Sequence, residues 1–236
     1  MLLPGDPGRV EPLAERLDGA RKLAQRREYL TWVGTLEGAE VAVTSTGIGC
    51  PSAAIAVEEL AAAGADTFIR VGQAGGMQSE TRSGDLVVAS AAVRDEGTTR
   101  QYVPEGFPAV ADLDVTVALR DGLREAGLRH HVGVVQSKDS FYGQRQPERM
   151  PVAEHLEARW RAWIRAGALC SEMEAAAIFV VASILRKRAG AILLVAGNQE
   201  TDPEGRHRDD AKLETLIDGA VAGLRALIRR DMAARA

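Results

Sequence analysis

Short apolar runs alternate with amphipathic stretches along the chain. The runs Glu40–Thr46, Ala65–Val71, Asp85–Val93, His131–Gln136 and Ala191–Ala196 read as strands, and Gly, Pro or Asp punctuate them. The last is apolar throughout and predicts a central strand buried on both faces. Between them, Ala53–Ala63 predicts a helix entered through a glycine loop. Asp112–Ala126 predicts a helix with Val115, Leu119 and Leu123 along one side, and Val152–Ala166 one that carries Trp160 and Trp163. A final helix over Ala211–Ala234 has Leu213, Leu216, Ile217, Ala220, Val221, Leu224 and Leu227 as its stripe. Leu2 and Leu3 read as the end of a strand whose beginning is missing, Glu11–Leu17 as a short helix, and Glu28–Leu36 as the approach to a hairpin turned at Gly38. Arg21–Arg27 reads as a basic, exposed run. Arg94–Pro108 is a polar loop that either covers a site or simply connects, and Thr201–Asp210 is charged and expected to be mobile. With no internal repeat or linker, the alternation of strands and helices implies one α/β domain over residues 1–236.

Composition narrows the functional classes. Of the 236 residues, 46% are hydrophobic and 26% charged, which suits a globular domain with a sizeable core. A net charge of −4 supplies no field for nucleic acid or an anionic membrane. Aromatics at 4% are too sparse for a base-stacking platform. Cys50 and Cys170 make neither a metal pair nor a disulfide framework. The four histidines have no metal-ligand spacing. No run reaches a membrane span, and no signal peptide opens the chain, so it reads as cytoplasmic.

The candidate chemistry lies at strand ends. Pro4-Gly5-Asp6-Pro7-Gly8-Arg9 is a tight turn carrying one cation, which either seats an oxyanion or is solvated. Gly47-Ile48-Gly49-Cys50-Pro51-Ser52 joins a strand to a helix, where free N–H groups make anion seats, although the full dinucleotide glycine pattern is absent. Arg70 falls within an apolar strand and needs an anion, from a ligand or from a protein carboxylate. Phe141 and Tyr142 sit among polar groups as a base-binding edge or a satellite of the core. Ser171 and Glu174 have capping-box spacing ahead of the apolar run Ala175–Leu185. Either Ser171 starts a buried helix that Glu174 closes, or Glu174 grips substrate hydroxyls. Asn198 and Gln199 end the central strand. If these ends converge, arginines and loop amides suit phosphate and a carboxylate suits sugar hydroxyls. The combination suggests phosphate attacking a sugar carbon.

In their order along the chain, five motifs resemble the nucleoside phosphorylase-I family, and within it the uridine-cleaving members. They are Pro4-Gly5-Asp6-Pro7-Gly8-Arg9, Ser45-Thr46-Gly47-Ile48-Gly49, Arg70-Val71-Gly72, Asp139-Ser140-Phe141-Tyr142 and Glu172-Met173-Glu174-Ala175. The resemblance implies a mixed central sheet, partly barrel-like and flanked by helices, in a homo-oligomer of dimers, usually a hexamer. It implies phosphorolysis of a pyrimidine nucleoside, a pentosyl transfer that turns uridine and phosphate into uracil and ribose 1-phosphate. No cofactor is implied; inorganic phosphate is the co-substrate. Gly5, Arg9 and Arg70 match phosphate ligands, and Arg27 matches an arginine lent to a neighbouring subunit. Met173 and Glu174 match ribose ligands, with Glu172 beside them, and Glu174 and Arg70 are the catalytic candidates. Phe141 and Gln144 match base-contacting positions, and Gln199 joins them. Glu28, Ile48 and Ser52 match positions that hold a monovalent cation, such as potassium, between subunits in some relatives.

Three departures stand against the pattern. Gln73 occupies the position of a small hydroxyl residue beside phosphate and either crowds the anion or replaces a hydrogen bond. The family's N-terminal segment, which lends a histidine to the neighbouring ribose site, is absent. Arg145 and Gln146 compete for the place of an arginine near the base. The sequence also leaves open a purine nucleoside phosphorylase, a hydrolytic nucleosidase and a catalytically impaired nucleoside-binding homologue.

Overall fold

The computed structural model describes residues 1–201 and 210–234. The predicted loop Thr201–Asp210 and His207 thus fall largely outside the described residues. The chain opens with β1 (Leu2–Pro4), a single 3-10 turn at Pro7–Arg9 and α1 (Val10–Ala14). An antiparallel meander follows: β2 (Asp18–Arg26), β3 (Tyr29–Leu36) and β4 (Ala39–Thr44). The β3–β4 turn has Glu37 and Gly38 at φ 51° and 78°, the left-handed pair that suits a two-residue hairpin. Next come α2 (Cys50–Ala62), β5 (Thr67–Gly76), β6 (Leu86–Asp95), β7 (Ala109–Val110), α3 (Leu113–Glu125) and β8 (His130–Lys138). The chain then runs through α4 (Phe141–Arg145), α5 (Ala153–Arg165), β9 (Cys170–Glu172), α6 (Ala175–Ile184), β10 (Arg188–Asn198) and α7 (Asp210–Ala233).

The strands form one mixed sheet in the order β10-β6-β8-β9-β5-β1-β4-β3-β2. Because β10 pairs with β6 on one side and β5 on the other, those strands close on themselves as a partial barrel, and β1, β4, β3 and β2 extend from it. Alternation along β10 explains the layering. Leu193 and Val195 pack with Ile178 and Phe179 of α6 and Val57 of α2, while Ile192 and Leu194 face Leu119 of α3 and Leu216 and Leu224 of α7. The first eight residues of α6, Ala175 to Ala182, are all buried, as expected of a helix apolar all round.

One expectation changes. Arg21–Arg27 was expected only as an exposed run, and most of it lies in β2, an edge strand exposed along nearly its whole length. With neither face buried, it carries no apolar alternation to betray it, and its charges suit an unpaired edge. The Arg94–Pro108 loop, which either covers or connects, contributes no residue to the cavity at the ends of β1, β5, β9 and β10. The Arg94 guanidinium donates to the carbonyls of Val103, Pro104, Glu105 and Phe107 and ties the loop to itself.

Candidate active site

A cavity of about 530 Å³ opens where the ends of β1, β5, β9 and β10 meet the loops before α2 and α6. The parallel β5–β10 register slips between Val195 and Gly197, and the bulge brings Ala196 and Gly197 to the cavity wall.

Arg70 of β5 forms its floor and is only 4% exposed. Its Nε donates to Glu172 Oε2 at 2.7 Å, and its Nη2 pairs with Glu174 Oε2. Its buried Nη1 has no hydrogen-bond partner among the described residues. Glycine at 72 permits this posture, since a Cβ there would sit 2.8 Å from Arg70 Cζ. Burial opposes the guanidinium charge, but the two carboxylates outweigh it and raise the pKa of Arg70. Burial raises that of Glu174, against the pull of Arg70.

The capping-box reading of Ser171 and Glu174 is overturned. Ser171 belongs to β9, and α6 begins only at Ala175. Glu172 caps that helix: its carboxylate accepts from Glu174 N at 2.8 Å and Ala175 N at 3.0 Å, while Ser137 Oγ takes Ala176 N. Relieved of capping, the Glu174 side chain faces the cavity, where Oε1 accepts from Gly49 N at 2.6 Å. Gly49 has a φ of 93°, which presents its N–H to the carboxylate. Arg70 thus has carboxylate partners of its own, as one of its two sequence readings allowed.

Gly5, Arg9 and Gln73 flank the floor. Arg9 Nη2 donates to Gln73 Oε1 at 2.7 Å. Met173 lines the wall, and its carbonyl accepts from Cys50 Sγ at 3.2 Å. At the opposite end stand Lys138, Phe141, Gln144, Arg145 and Gln199. The Phe141 ring meets Tyr142 edge-on, with centroids 5.4 Å apart, and Arg145 lies 5.8 Å above its face. Gln146 is not in the cavity wall and accepts instead from Arg149, whereas Arg145 lines the wall. Asn198 is not in the wall either: its amide donates to the carbonyls of Gln78 and Thr81, and its oxygen accepts from Glu200 N.

Three further candidates, Arg27, Glu28 and Ser52, also lie outside this wall. Arg27 is exposed at the β2–β3 turn, with φ 54°. Glu28 and Ser52 meet each other, Ser52 Oγ lying 2.9 Å from Glu28 Oε1 and 2.5 Å from the Thr46 carbonyl. Ile48 lines the mouth of the cavity and is 79% exposed. The Glu28 and Ser52 oxygens are hard donors that fit a monovalent cation, and the exposed Ile48 can add only its carbonyl. Among the described residues, no group of three or more His, Cys, Asp or Glu is placed to hold a metal ion.

The phosphorylase superfamily model matches residues 1–229. The chain belongs to that superfamily. It is 48% identical over 234 residues to the uridine phosphorylase of Treponema pallidum, covering 98% of this chain and 90% of that one. It is 47% identical over 208 residues to the uridine phosphorylase of Thermococcus kodakarensis, covering 87% and 75%. The guanosine phosphorylase of Halorubrum lacusprofundi is 39% identical over 229 residues, covering 95% and 89%. No described helix is long and apolar enough to cross a membrane.

Against this superfamily background, sequence reasoning missed Lys138. It is 8% exposed, donates from Nζ to Ser171 Oγ at 2.6 Å, and has its pKa lowered to about 8 by burial, against the pull of Glu172 and Glu174. The signal was the polar triplet Gln136-Ser137-Lys138 at the C-terminal end of a strand, where open α/β sheets place their ligands.

Proposed function

We propose that this chain phosphorolyses a pyrimidine nucleoside, with uridine as substrate. The observation that carries the reading is the buried Arg70–Glu174 pair beside Arg9, Gln73 and Gly5 on one cavity wall. The uridine phosphorylases among its relatives supply the substrate class. Phosphate binds against Arg70 Nη1, Arg9 and Gly5, and draws guanidinium charge away from Glu174. The freed carboxylate then holds the ribose hydroxyls. A phosphate oxygen forms a bond to C1′ as the C1′–N1 bond breaks, and the released electron pair moves onto the pyrimidine. Phosphate needs no general base because it is already an anion. Glu174 and the phosphate charge support the oxocarbenium-like transition state, while Lys138 and Arg145 offset charge on the departing base. Phe141 packs on the base, and Gln144 and Gln199 meet its edge.

The site is completed by a second copy of the chain in a dimer-based homohexamer. The exposed mouth at Ile48 and Phe141, and the position of Arg27 on a turn away from its own cavity, support this assembly. A potassium ion at Glu28, Ser52 and the Ile48 carbonyl would hold subunits in register. The test is an absorbance assay of uridine, cytidine, inosine, guanosine and adenosine with and without phosphate. Phosphate-dependent cleavage of uridine is expected. Turnover of a purine nucleoside but not uridine overturns the substrate, and cleavage that ignores phosphate overturns the reaction.

A further inference from the structure

A line of buried and half-buried polar side chains runs from the base end of the cavity to a residue outside its wall. Asp95, at the C-terminal end of β6, accepts at Oδ2 from Gln136 Nε2 at 2.7 Å and from Trp163 Nε1 at 3.1 Å. Its other oxygen pairs with Arg159 of α5. Ser171 Oγ lies 2.5 Å from Gln136 Oε1, 2.6 Å from Lys138 Nζ and 2.7 Å from the end of the Gln144 amide. Gln144 in turn lies 3.1 Å from Gln199. Gln136 and Ser171 are 3% and 2% exposed, so their hydrogen bonds are made chiefly with protein partners.

Counting donors fixes the orientations of Gln136, Ser171 and Gln144. A carboxylate only accepts, so Asp95 turns the NH2 of Gln136 toward itself and the carbonyl oxygen toward Ser171. That oxygen takes the single hydroxyl hydrogen of Ser171. The Lys138 ammonium only donates and uses one Ser171 lone pair. What remains for Gln144 is a second lone pair, so Gln144 must direct its NH2 at Ser171 and turn its carbonyl oxygen toward the cavity and Gln199, whose own amide must then turn over to present its NH2. The amide end 2.7 Å from Ser171 Oγ is therefore nitrogen rather than oxygen.

We infer that Asp95 and Gln136 are positioning residues that act through Ser171 to set the hydrogen-bond polarity of the base site. This rests on the proposed pyrimidine phosphorolysis. The relay leaves an acceptor at Gln144 beside a donor at Lys138. A uracil edge presents N3–H and a carbonyl, which match. Cytosine presents an unprotonated N3 in place of the donor, and two acceptors then oppose each other. Lys138 and Gln144 also line a second cavity of about 290 Å³, with Asp95 and Gln136 on its wall.

Asp95→Asn tests the relay, because an asparagine can turn either face to Gln136 and lets the polarity reverse. Gln136→Met is the second variant: it removes the link and leaves the Arg159 pair with Asp95 intact, so it serves if Asp95→Asn fails to fold. We expect each folded variant to lower the uridine-to-cytidine ratio of kcat/KM by roughly tenfold or more, with KM for phosphate unchanged. The double variant should add nothing further. Calorimetric titration of uracil and cytosine into the full chain with phosphate reads the same discrimination without turnover. An unchanged ratio in folded Gln136→Met, or additive effects in the double variant, overturns the relay while uridine phosphorolysis stands. A wild-type chain that neither binds uracil nor cleaves uridine overturns both.

Discussion

Arg70 and Glu174 form a buried ion pair on the cavity floor, and each occupies a group that the proposed mechanism gives to substrate. On the proposed mechanism, phosphate at Arg70 Nη1 draws guanidinium charge from Glu174 before the carboxylate turns to ribose, which orders binding with phosphate ahead of nucleoside. We expect Glu174→Ala to reduce kcat by roughly a hundredfold or more, since its bonds strengthen toward the transition state, and to change KM for phosphate far less. Initial-rate kinetics with both substrates varied measure this. A variant of undiminished kcat removes Glu174 from the reaction.

The sign of the pH response follows from two groups. The pKa of Glu174 is raised by burial, so activity falls as pH drops through that raised value. Lys138 is lowered to about 8, mainly by burial, so its charge and its support for the leaving base are lost as pH rises through about 8. Stability moves the other way on this alkaline limb. Between about 8 and the ordinary lysine value of 10.5, the unfolded chain holds more protons, so this lysine's share of stability rises with pH. We expect kcat/KM to decline above pH 8 in the wild type. Lys138→Met should be far less active throughout and lack that limb. A pH profile of Lys138→Met with the same alkaline limb contradicts the assignment.

Gln73 is fixed by the same donor logic. Arg9 only donates, so Gln73 Oε1 must face it at 2.7 Å, and the amide NH2 is turned toward the cavity. The departure from a small hydroxyl residue therefore still offers phosphate a donor. Gln73→Met should raise KM for phosphate by about tenfold, with KM for uridine little changed, in line with loss of one hydrogen bond to a charged group. A lower phosphate KM in the variant would mean that Gln73 obstructs the anion.

Legibility in the sequence followed burial pattern. The central strand was plain because Ala191–Val195 is apolar and buried on both faces, and the α7 stripe because one side of the helix meets the core. β2 was not, because no described residue buries either of its faces. Arg70 announced itself as a charge inside an apolar run. Glu172 did not announce its capping role, because that depends on a strand ending two residues before its helix begins, whereas Ser171–Glu174 spacing imitates a familiar box. Lys138 and Asp95 met only through Gln136 and Ser171, contacts across strands that no local spacing encodes.

The two neighbouring glutamates divide structure from chemistry, and this can be tested directly. Glu172 accepts from two N–H groups at the start of α6, pairs with Arg70 and meets Ser137, with its side chain fully buried. Glu174 holds one backbone N–H and shares Arg70. Glu172→Gln keeps the shape but removes the charge that balances Arg70 and the helix N-terminus. Whichever oxygen it replaces, its amide NH2 also turns a donor toward the Ala175 N–H, which only donates. We expect it to destabilise the fold by roughly 3–5 kcal/mol, the range for breaking a buried pair from one side. Glu174→Gln should cost distinctly less stability and far more turnover. Denaturant melts with matched kinetics decide it: a larger loss of stability in Glu174→Gln than in Glu172→Gln would reverse the two roles.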